Sequence, residues 1–453
     1  PAKRKLLAVF SRICRLGFPT EIFILKSHPE INTNPSPGIP IQPTDATDAA
    51  DRTQLLFWVL IGASLVLGFN VISHLKEPIG DEGVHSYQIY QFIKGSYEHF
   101  KYITMLPTYH AANAIVVKLL GATDMNYLRF ANLLLAAIAI PAFLSIAKTV
   151  NHGQAYCRTL EFVFVPIVFP FFFVVYTDLF SLAFTLLTIE RTLKAKYKMA
   201  ALFGFGAVLI RQPNMTWVGY CCLLILMDVE KPAMTKSFLI SYLQKVWPFT
   251  IIVLAFGGFV IWNGGIAVGD AEQHHVSLNL SNFYFFLLVS FFLFLPYNIA
   301  RMGDVKDLLV SNKWLILLIV GLFFVYNATY EHPHKYNTKK LSFYLHNLFL
   351  YYSCDIYWLR IVSYFAMVWM ALSYYAAGLV SKNRIPLLLL LPLTLLSTVP
   401  LPLIEQRYYL VSLCLFIALR PPIEEKYTAL IFAYYVGVTG YALYNISRLK
   451  FFL

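Results

Sequence analysis

The stretch LLFWVLIGASLVLGFNVISHL, residues 55–75, is a long apolar run without an acidic or basic side chain other than one histidine. About 20 such residues are enough for an α-helix to cross a bilayer hydrocarbon core of about 30 Å. The chain continues as EPIGDEGVH, residues 77–85, so two adjacent acids and a histidine follow the run directly. The sequence therefore predicts a membrane helix with polar chemistry at its end.

The whole chain has a composition like that of its first apolar run. Of 453 residues, 58% are hydrophobic and 13% are charged, whereas a soluble domain carries about 25% charged residues. Similar runs recur as far as Asn445, and spans of this composition are helices because lipid offers no hydrogen-bond partners. We expect an all-α polytopic membrane protein with about 12–13 transmembrane helices.

The basic residues predict the topology. The formal net charge is +12, but Lys and Arg fall mainly in short loops, where they set orientation. Membrane lipid is therefore an expected partner and nucleic acid is not. Residues 1–54 hold a basic patch followed by a Pro/Thr/Asp-rich stretch, and they predict a cytosolic, disordered tail. The basic patch could instead lie on an anionic membrane surface.

With the tail in the cytosol, residues 55–453 form the membrane domain and residues 76–126 its first luminal loop. This loop has helical stretches near Tyr87–Lys94 and His110–Leu120. Polar clusters from distant parts of the chain then share the luminal side: Asp81-Glu82, Thr104–Thr108, Tyr176–Asp178, Arg211-Gln212, Asp270 with His274-His275, Glu331-His332 with His334, and Glu405–Arg407. This arrangement favours a binding or catalytic cleft built from several loops.

Asp81 and Glu82 are candidates for a general base. A carboxylate near a membrane interface is suited to this role because desolvation raises the pKa of a carboxyl group toward neutrality. The alternative is that both are solvated loop acids that end a span. Adjacent residues point in different directions, so at most one acid of the pair is expected to react.

Arg211, His274 and Arg407 are candidates for binding a phosphate. A guanidinium forms a planar fork that fits phosphate oxygens, and a histidine can donate to them. Arg211 could instead extend to the interface as a structural residue, and Arg407 could simply pair with Glu405.

Other polar residues allow more than one role. Asp178 could bind sugar hydroxyl groups or cap the following helix. Three glycines in Asn263–Asp270 permit a tight luminal turn. We find no CxxC and no convergent three-ligand spacing, so no metal site is expected.

Several motifs occur in an order that resembles a known family. They are Gly80-Asp81-Glu82 with His85, Ile103–Pro107, Leu128–Leu134, Tyr176–Asp178, Arg211–Asn214, Asn263–Asp270 with His274, and Leu403–Tyr408. The chain resembles the dolichyl-phosphate-glucose-dependent α-1,2-glucosyltransferases, which add the last glucose to the lipid-linked oligosaccharide. This resemblance implies a GT-C fold, an endoplasmic reticulum membrane location and a luminal active site.

The resemblance also implies substrates and residue roles. The expected partners are dolichyl-phosphate glucose and the dolichyl-diphosphate-linked oligosaccharide, with no cofactor and no metal. Asp81 occupies the position of the catalytic base, while Glu82 and His85 are expected to support its loop. The donor phosphate is expected to contact Arg211, His274 and Arg407. The residues expected to contact sugar or acceptor are Thr104, Asp178, Gln212, Asp270 and Glu405.

Other functions are compatible with the same sequence. Another dolichyl-phosphate-sugar transferase would share the fold and the candidate residues. A transporter or channel-regulating membrane protein belongs to a different class, although we find neither the internal repeat nor the charges at mid-membrane that such proteins often have. An inactive regulatory relative would also show this pattern.

Overall fold

A computed structural model describes residues 43–228, 235–337 and 347–450, with side chains described from Arg52 onward. These residues are helical with loops, and no β-strand occurs among them. The α-helices, in chain order from α1 to α20, are Pro43–Ser73, Glu82–Lys94, Thr108–Leu120, Met125–Ala137, Ala139–Asn151, Ala155–Val163, Asp178–Leu193, Tyr197–Ile210, Met215–Asp228, Lys236–Asn263, Leu280–Leu293, Leu295–Ala300, Met302–Ser311, Trp314–Thr329, Leu348–Asp355, Tyr357–Val380, Arg384–Leu388, Leu390–Thr398, Leu410–Leu419 and Glu425–Ser447.

Several helices are long and apolar enough to cross a membrane. The five segments that meet this test are Arg52–Ser73, Met125–Val163, Lys236–Asn263, Tyr357–Val380 and Glu425–Ser447. Large apolar side chains on them are exposed, such as Val66 at 70% and Ile261 at 84%. An apolar face of this kind is stable against lipid and not against water. The protein is therefore a multi-pass membrane protein, and the predicted all-α polytopic architecture is confirmed.

Fewer segments meet this test than the number of spans predicted. The described residues contain five such segments, or six if α13 and α14, which meet at a bend of 102°, count as one span. The remaining apolar helices have 10–17 residues, among them α8 and α11. Many of the predicted spans are thus short or broken helices.

The predicted span Leu160–Thr177 shows the physical reason. Helix α6 ends at Val163, and the chain continues past Pro166 into a 3₁₀ helix, Phe169–Phe172. Proline cannot donate a backbone hydrogen bond and ends helices. Every residue from 157 to 183 is buried. The apolar composition of this segment therefore reflects burial inside the protein, where broken helices are tolerated at membrane depth.

The predicted tail, residues 1–54, overlaps the first helix. Residues 1–42 lie outside the described residues, but α1 already begins at Pro43. Proline favours the first position of a helix because its φ angle is already helical and the missing N–H would have no partner there. Residues 43–54 thus extend the first helix rather than the tail.

Helices α2 and α3 form the predicted helical loop, and an apolar core holds them against the membrane helices. Ile89 of α2 and Val117 of α3 are fully buried together with Leu128, Phe180 and Ile210. Burial of a large aliphatic or aromatic side chain contributes about 1.5–3 kcal/mol. The loop that carries Asp81 is therefore a packed part of the fold.

The segment after α10 connects two other loops. On one side the Val268 N–H donates to the Thr104 carbonyl at 3.0 Å and the Asp270 N–H donates to the Lys101 carbonyl at 2.8 Å. On the other side the Ser277 N–H donates to the Pro400 carbonyl at 3.0 Å. Residues far apart in the chain thus form one continuous surface.

Candidate active site

A cavity of about 1170 Å³ opens between these loops. Nine of the eleven predicted site residues line it, all except Glu82 and Asp178. The nine are Asp81, His85, Thr104, Arg211, Gln212, Asp270, His274, Glu405 and Arg407. Their presence on one cavity follows from the loop contacts above, while their chemical roles remain predictions.

Asp81 lies at the beginning of α2 and faces the cavity. Gly80 precedes it with φ +55°, a conformation that glycine adopts without strain. The Asp81 N–H donates to the Tyr176 hydroxyl at 2.6 Å. The Asp81 side chain is 45% exposed, and its Oδ2 lies 2.9 Å from a guanidinium nitrogen of Arg407. The backbone is thus fixed while the carboxylate stays accessible to a ligand.

Glu82 points the other way, into the protein. Its fully buried carboxylate accepts hydrogen bonds from Arg129 at 3.1 and 2.7 Å, from the Val175 N–H at 2.8 Å and from the Ile79 N–H at 2.8 Å. A buried charge is stable only when paired and hydrogen-bonded in this way. Of the two adjacent acids, Asp81 is the one that reaches the cavity.

Five charged side chains form what we call the charge network: Asp81, Asp178, Glu405, Arg211 and Arg407. Arg211 pairs with Asp178, and Arg407 pairs with both Asp81 and Glu405. A second guanidinium nitrogen of Arg407 lies 3.9 Å from Asp178. The pairing of Arg407 with Glu405, left open by the sequence, is present, and Arg407 lines the cavity as well.

Asp178 is buried and is not among the residues that line the cavity. It is the first residue of α7, its side chain is 1% exposed, and it lies behind the two arginines. The capping alternative does not fit this placement, because Thr177 is the N-cap and no side-chain cap bond forms. The contact of Asp178 with sugar stays a prediction. A buried carboxylate needs counter-charges, and we therefore interpret Asp178 as the anchor of the arginines.

Both guanidinium groups of the charge network lie over aromatic rings. Arg407 lies over the Tyr176 ring at 5.2 Å, and Arg211 lies over the Tyr408 ring at 5.4 Å. Such cation–π contacts are worth about 0.5–2 kcal/mol. The two cations are thus fixed before any ligand arrives.

A second polar group also lines the cavity. His274 Nε2 is 3.8 Å from Asp270 Oδ2, and the Tyr336 hydroxyl donates to the same oxygen at 3.4 Å. Burial lowers the pKa of His274. His274 is therefore neutral near pH 7, and it can donate a hydrogen bond to a ligand without adding a charge.

Gln212 joins loops, which the sequence did not indicate. Its side-chain nitrogen donates to the Thr104 carbonyl at 3.2 Å and to the Ile266 carbonyl at 3.1 Å. The predicted contacts of Gln212 and Thr104 with sugar thus compete with a structural use of the same groups.

His85 lines the cavity beside a second buried histidine. A hydrogen bond of 3.0 Å joins His85 Nδ1 to His110 Nε2, and the His85 ring meets the Tyr176 ring edge-on at 5.5 Å. Burial lowers the pKa of His85 to about 4, against an opposing effect of the Asp81 charge. The His85 and His110 rings are therefore packed, neutral groups that support the α2 loop.

The low pKa of His85 predicts an acid-dependent loss of stability. Below pH 6.5 the unfolded chain binds a proton that folded His85 refuses until about pH 4. The contribution of His85 to the free energy of unfolding is thus fully present above pH 6.5. It falls by up to about 3 kcal/mol as the pH decreases from 6.5 to about 4. We expect His85→Gln to reduce the fall in Tm on acidification, measured by thermal unfolding in detergent. His275→Gln, at an exposed position, is the control; an equal reduction in both variants would contradict the assignment.

Gly269 brings the segment after α10 into close contact with the first loop. A Cβ at this position would lie 2.5 Å from the Ile103 carbonyl oxygen and 2.6 Å from the Lys101 carbonyl oxygen. Both neighbours are backbone atoms, so the loops would have to separate.

We expect Gly269→Ala to destabilise the protein by about 1–3 kcal/mol, as overpacking does. The matched control is Gly265→Ala, whose Cβ meets nothing within 4 Å. Thermal unfolding of the two variants in detergent measures the difference. Equal Tm values would show that the loops do not depend on this contact.

Sequence reasoning gave no role to two residues that organise the site, Arg129 and Tyr176. Arg129 donates to Glu82 and also to the carbonyl groups of Leu75 at 2.5 Å and Glu77 at 3.1 Å. A charged residue in the apolar segment Leu128–Ala137 was the available signal, because such residues are paired or functional. Tyr176 gave no comparable signal.

One group of possible metal ligands occurs in the described residues, outside the cavity lining. Ligand atoms of His332, Cys354 and Asp355 lie within 4.8 Å of one another. His332 is hydrogen-bonded to Asp355 at 2.8 Å, and Cys354 donates to the Tyr330 carbonyl at 3.3 Å. Burial raises the pKa of Cys354 to about 12, which disfavours the thiolate that a metal requires. We therefore assign no metal to this group.

Comparisons with known proteins identify relatives of this chain. Proteins named Dol-P-Glc:Glc(2)Man(9)GlcNAc(2)-PP-Dol alpha-1,2-glucosyltransferase resemble the chain. The Mus musculus protein is 27% identical over 74% of this chain and 82% of its own length. The values are 25%, 74% and 82% for a Homo sapiens protein, and 24%, 78% and 86% for the Candida albicans protein. No solved structure matches the chain significantly.

The model of the DIE2/ALG10 family matches residues 75–238 and 225–418. The match includes the first loop, the charge network and His274, and it extends over well more than half of the chain. The protein therefore belongs to the DIE2/ALG10 family.

Proposed function

We propose that this protein transfers the third, terminal glucose from dolichyl-phosphate glucose to the diglucosylated, dolichyl-diphosphate-linked oligosaccharide. The new bond is an α-1,2 linkage formed with inversion. The relatives carry this activity in their names. The observation that carries the proposal is an accessible carboxylate, Asp81, 2.9 Å from a cation on the wall of one cavity.

The arrangement supports the following reaction. Asp81 accepts the proton of the 2-hydroxyl group on the terminal glucose of the acceptor. The hydroxyl oxygen attacks the anomeric carbon of the β-linked donor, and the bond from that carbon to the phosphate oxygen breaks. Dolichyl phosphate leaves with the electron pair. The reaction involves no change of oxidation state, so the proposal includes no cofactor.

The arginines stabilise the leaving group. The donor phosphate is a phosphodiester with one negative charge, and it becomes a monoester that gains a second charge as the bond breaks. Arg211 and Arg407 are fixed on aromatic rings and on Asp178. Pre-positioned charges of this kind lower a barrier because they need no reorganisation during the reaction. His274 is the proposed neutral donor to the phosphate.

The proposed location is the endoplasmic reticulum membrane, with the cavity open to the lumen. The distribution of Lys and Arg supports this orientation. Glycosylation tags inserted into the first loop, near Tyr97, would be modified in this orientation. An unmodified tag there, together with a modified tag in the loop at Lys382–Arg384, would show the opposite topology.

A transfer assay with purified protein tests the function. The donor is dolichyl-phosphate glucose and the acceptor is the diglucosylated lipid-linked oligosaccharide, with mass and α-1,2-glucosidase digestion identifying the product. The expected product is the triglucosylated glycan. Transfer only from dolichyl-phosphate mannose, or only to an earlier acceptor, would identify another transferase of the same fold.

A further inference from the structure

The charge network has more negative than positive groups. Its three carboxylates belong to Asp81, Asp178 and Glu405, whereas its two cations belong to Arg211 and Arg407. Burial lowers the pKa of the neighbouring His85 and His274, so neither adds a positive charge near neutral pH. A cavity wall with this excess of negative charge does not favour the binding of an additional anion such as the donor phosphate.

Every nitrogen of the Arg407 guanidinium faces an acid. Nε pairs with Glu405, one terminal nitrogen lies 2.9 Å from Asp81, and the other lies 3.9 Å from Asp178. A guanidinium has five N–H donors in one plane, and the two hydrogen bonds of Arg407 to these acids go to Glu405 and Asp81. A phosphate that reaches Arg407 from the open side of the cavity meets the nitrogen that the most exposed acid occupies.

The exposure of the three acids identifies the one that is replaced. The Asp178 side chain is 1% exposed and the Glu405 side chain is 17% exposed, whereas the Asp81 side chain is 45% exposed. A buried carboxylate that loses its counter-charge is strongly destabilised. Asp81 can turn toward the open cavity, where water or a sugar hydroxyl group replaces the lost contact.

We propose that the donor phosphate competes with Asp81 for Arg407, so that donor binding releases the Asp81 carboxylate from its ion pair. The inference rests on the proposed function and adds an order of events to it. A carboxylate beside a cation is held in its charged form and is a poor proton acceptor. Its release beside the bound donor activates the base only when the sugar to be transferred is present.

The competition makes an unusual prediction for the base itself. Removing the Asp81 charge frees Arg407 for the phosphate. We therefore expect Asp81→Asn to bind dolichyl-phosphate glucose about tenfold more tightly than the native protein, equivalent to about 1.4 kcal/mol. Equilibrium binding to the full chain in nanodiscs, measured by calorimetry, gives this ratio. Asp81→Ser is the second variant, and thermal unfolding verifies that both are folded.

Glu77→Gln is the matched control. Glu77 is an exposed acid in the same loop, so its substitution removes an equal charge from a place that does not contact Arg407. We expect its donor affinity to stay within about twofold of the native value. Unchanged or weaker donor binding by folded Asp81→Asn would overturn the competition, as would an equal gain in Glu77→Gln.

Dolichyl phosphate, which lacks the sugar, separates this inference from the proposed function. If the native protein binds it and Asp81→Asn binds it more tightly, the competition stands even if no glucose is transferred. That result would refute the proposed activity alone. If the native protein binds neither lipid phosphate, the competition is refuted as well.

Discussion

Replacing Asp81 with asparagine is expected to lower the rate of glucose transfer by about 10²–10⁴-fold, the usual value of general-base assistance. Asparagine has nearly the same shape but cannot accept the proton of the acceptor hydroxyl group. The backbone contact of residue 81 with Tyr176 is kept, so the fold should survive. The measurement is the single-turnover rate with donor and acceptor in excess over their dissociation constants.

Glu77→Gln serves as the control for this rate because it removes an acid from the same loop without touching the cavity lining. It should transfer glucose at close to the native rate. Near-native transfer by folded Asp81→Asn would reject Asp81 as the base. A lower transfer rate together with a higher donor affinity in Asp81→Asn would distinguish a base from a residue that only holds the loop in place.

Replacing Arg129 with methionine is expected to destabilise the protein by about 3–5 kcal/mol, because it leaves a buried carboxylate without its partner. Arg129 and Glu82 are both fully buried and 2.7 Å apart. Arg129 also binds the Leu75 carbonyl at 2.5 Å at the end of α1. Denaturant titration in micelles gives the change in the free energy of unfolding.

Two further variants serve as the control and the additional test of this prediction. Lys118→Met removes an exposed cation from α3 and should change stability by no more than about 0.5 kcal/mol. The double variant Glu82→Leu with Arg129→Met removes both buried charges and should recover part of the loss, since a buried ion pair is often replaceable by apolar residues. A stable Arg129→Met single variant would contradict the anchoring role of the pair.

Membrane-protein architecture was predictable because apolar composition is a property of whole segments. The lengths and breaks of the individual helices were not, because the sequence does not distinguish apolar residues that face lipid from those that face protein. Residues 157–183 were predicted as a span and a hairpin, but they are buried throughout, and the helix that precedes Pro166 ends at Val163. Hydropathy measures transfer from water and is the same for both destinations.

The residues of the candidate site were predictable to a useful extent from charge alone. Arg211 and Arg407 are conspicuous at the ends of apolar segments, where a charge is costly, and both line the cavity. The ion pairs of Asp178 were not predictable, because its partners lie 33 and 229 residues farther along the chain. No local pattern indicates such a contact.

The choice between Asp81 and Glu82 also depended on tertiary structure. Both acids have the same neighbours in sequence, and either could serve as a base by its chemistry. The deciding contacts come from Arg129 and Val175, 47 and 93 residues away. Such contacts can be found only when the fold brings the elements together.

The start of α2 between these two acids has a consequence for the loop as a whole. Successive helical residues are rotated by about 100° around the axis, so one acid faces the cavity while its neighbour faces Arg129. Inserting one residue between Leu75 and Asp81 would keep both acids in the chain yet rotate both away from their present partners. Helical phase, rather than the mere presence of a carboxylate, thus sets which oxygen meets the substrate, and the length of this short connector is as constrained as the acid itself.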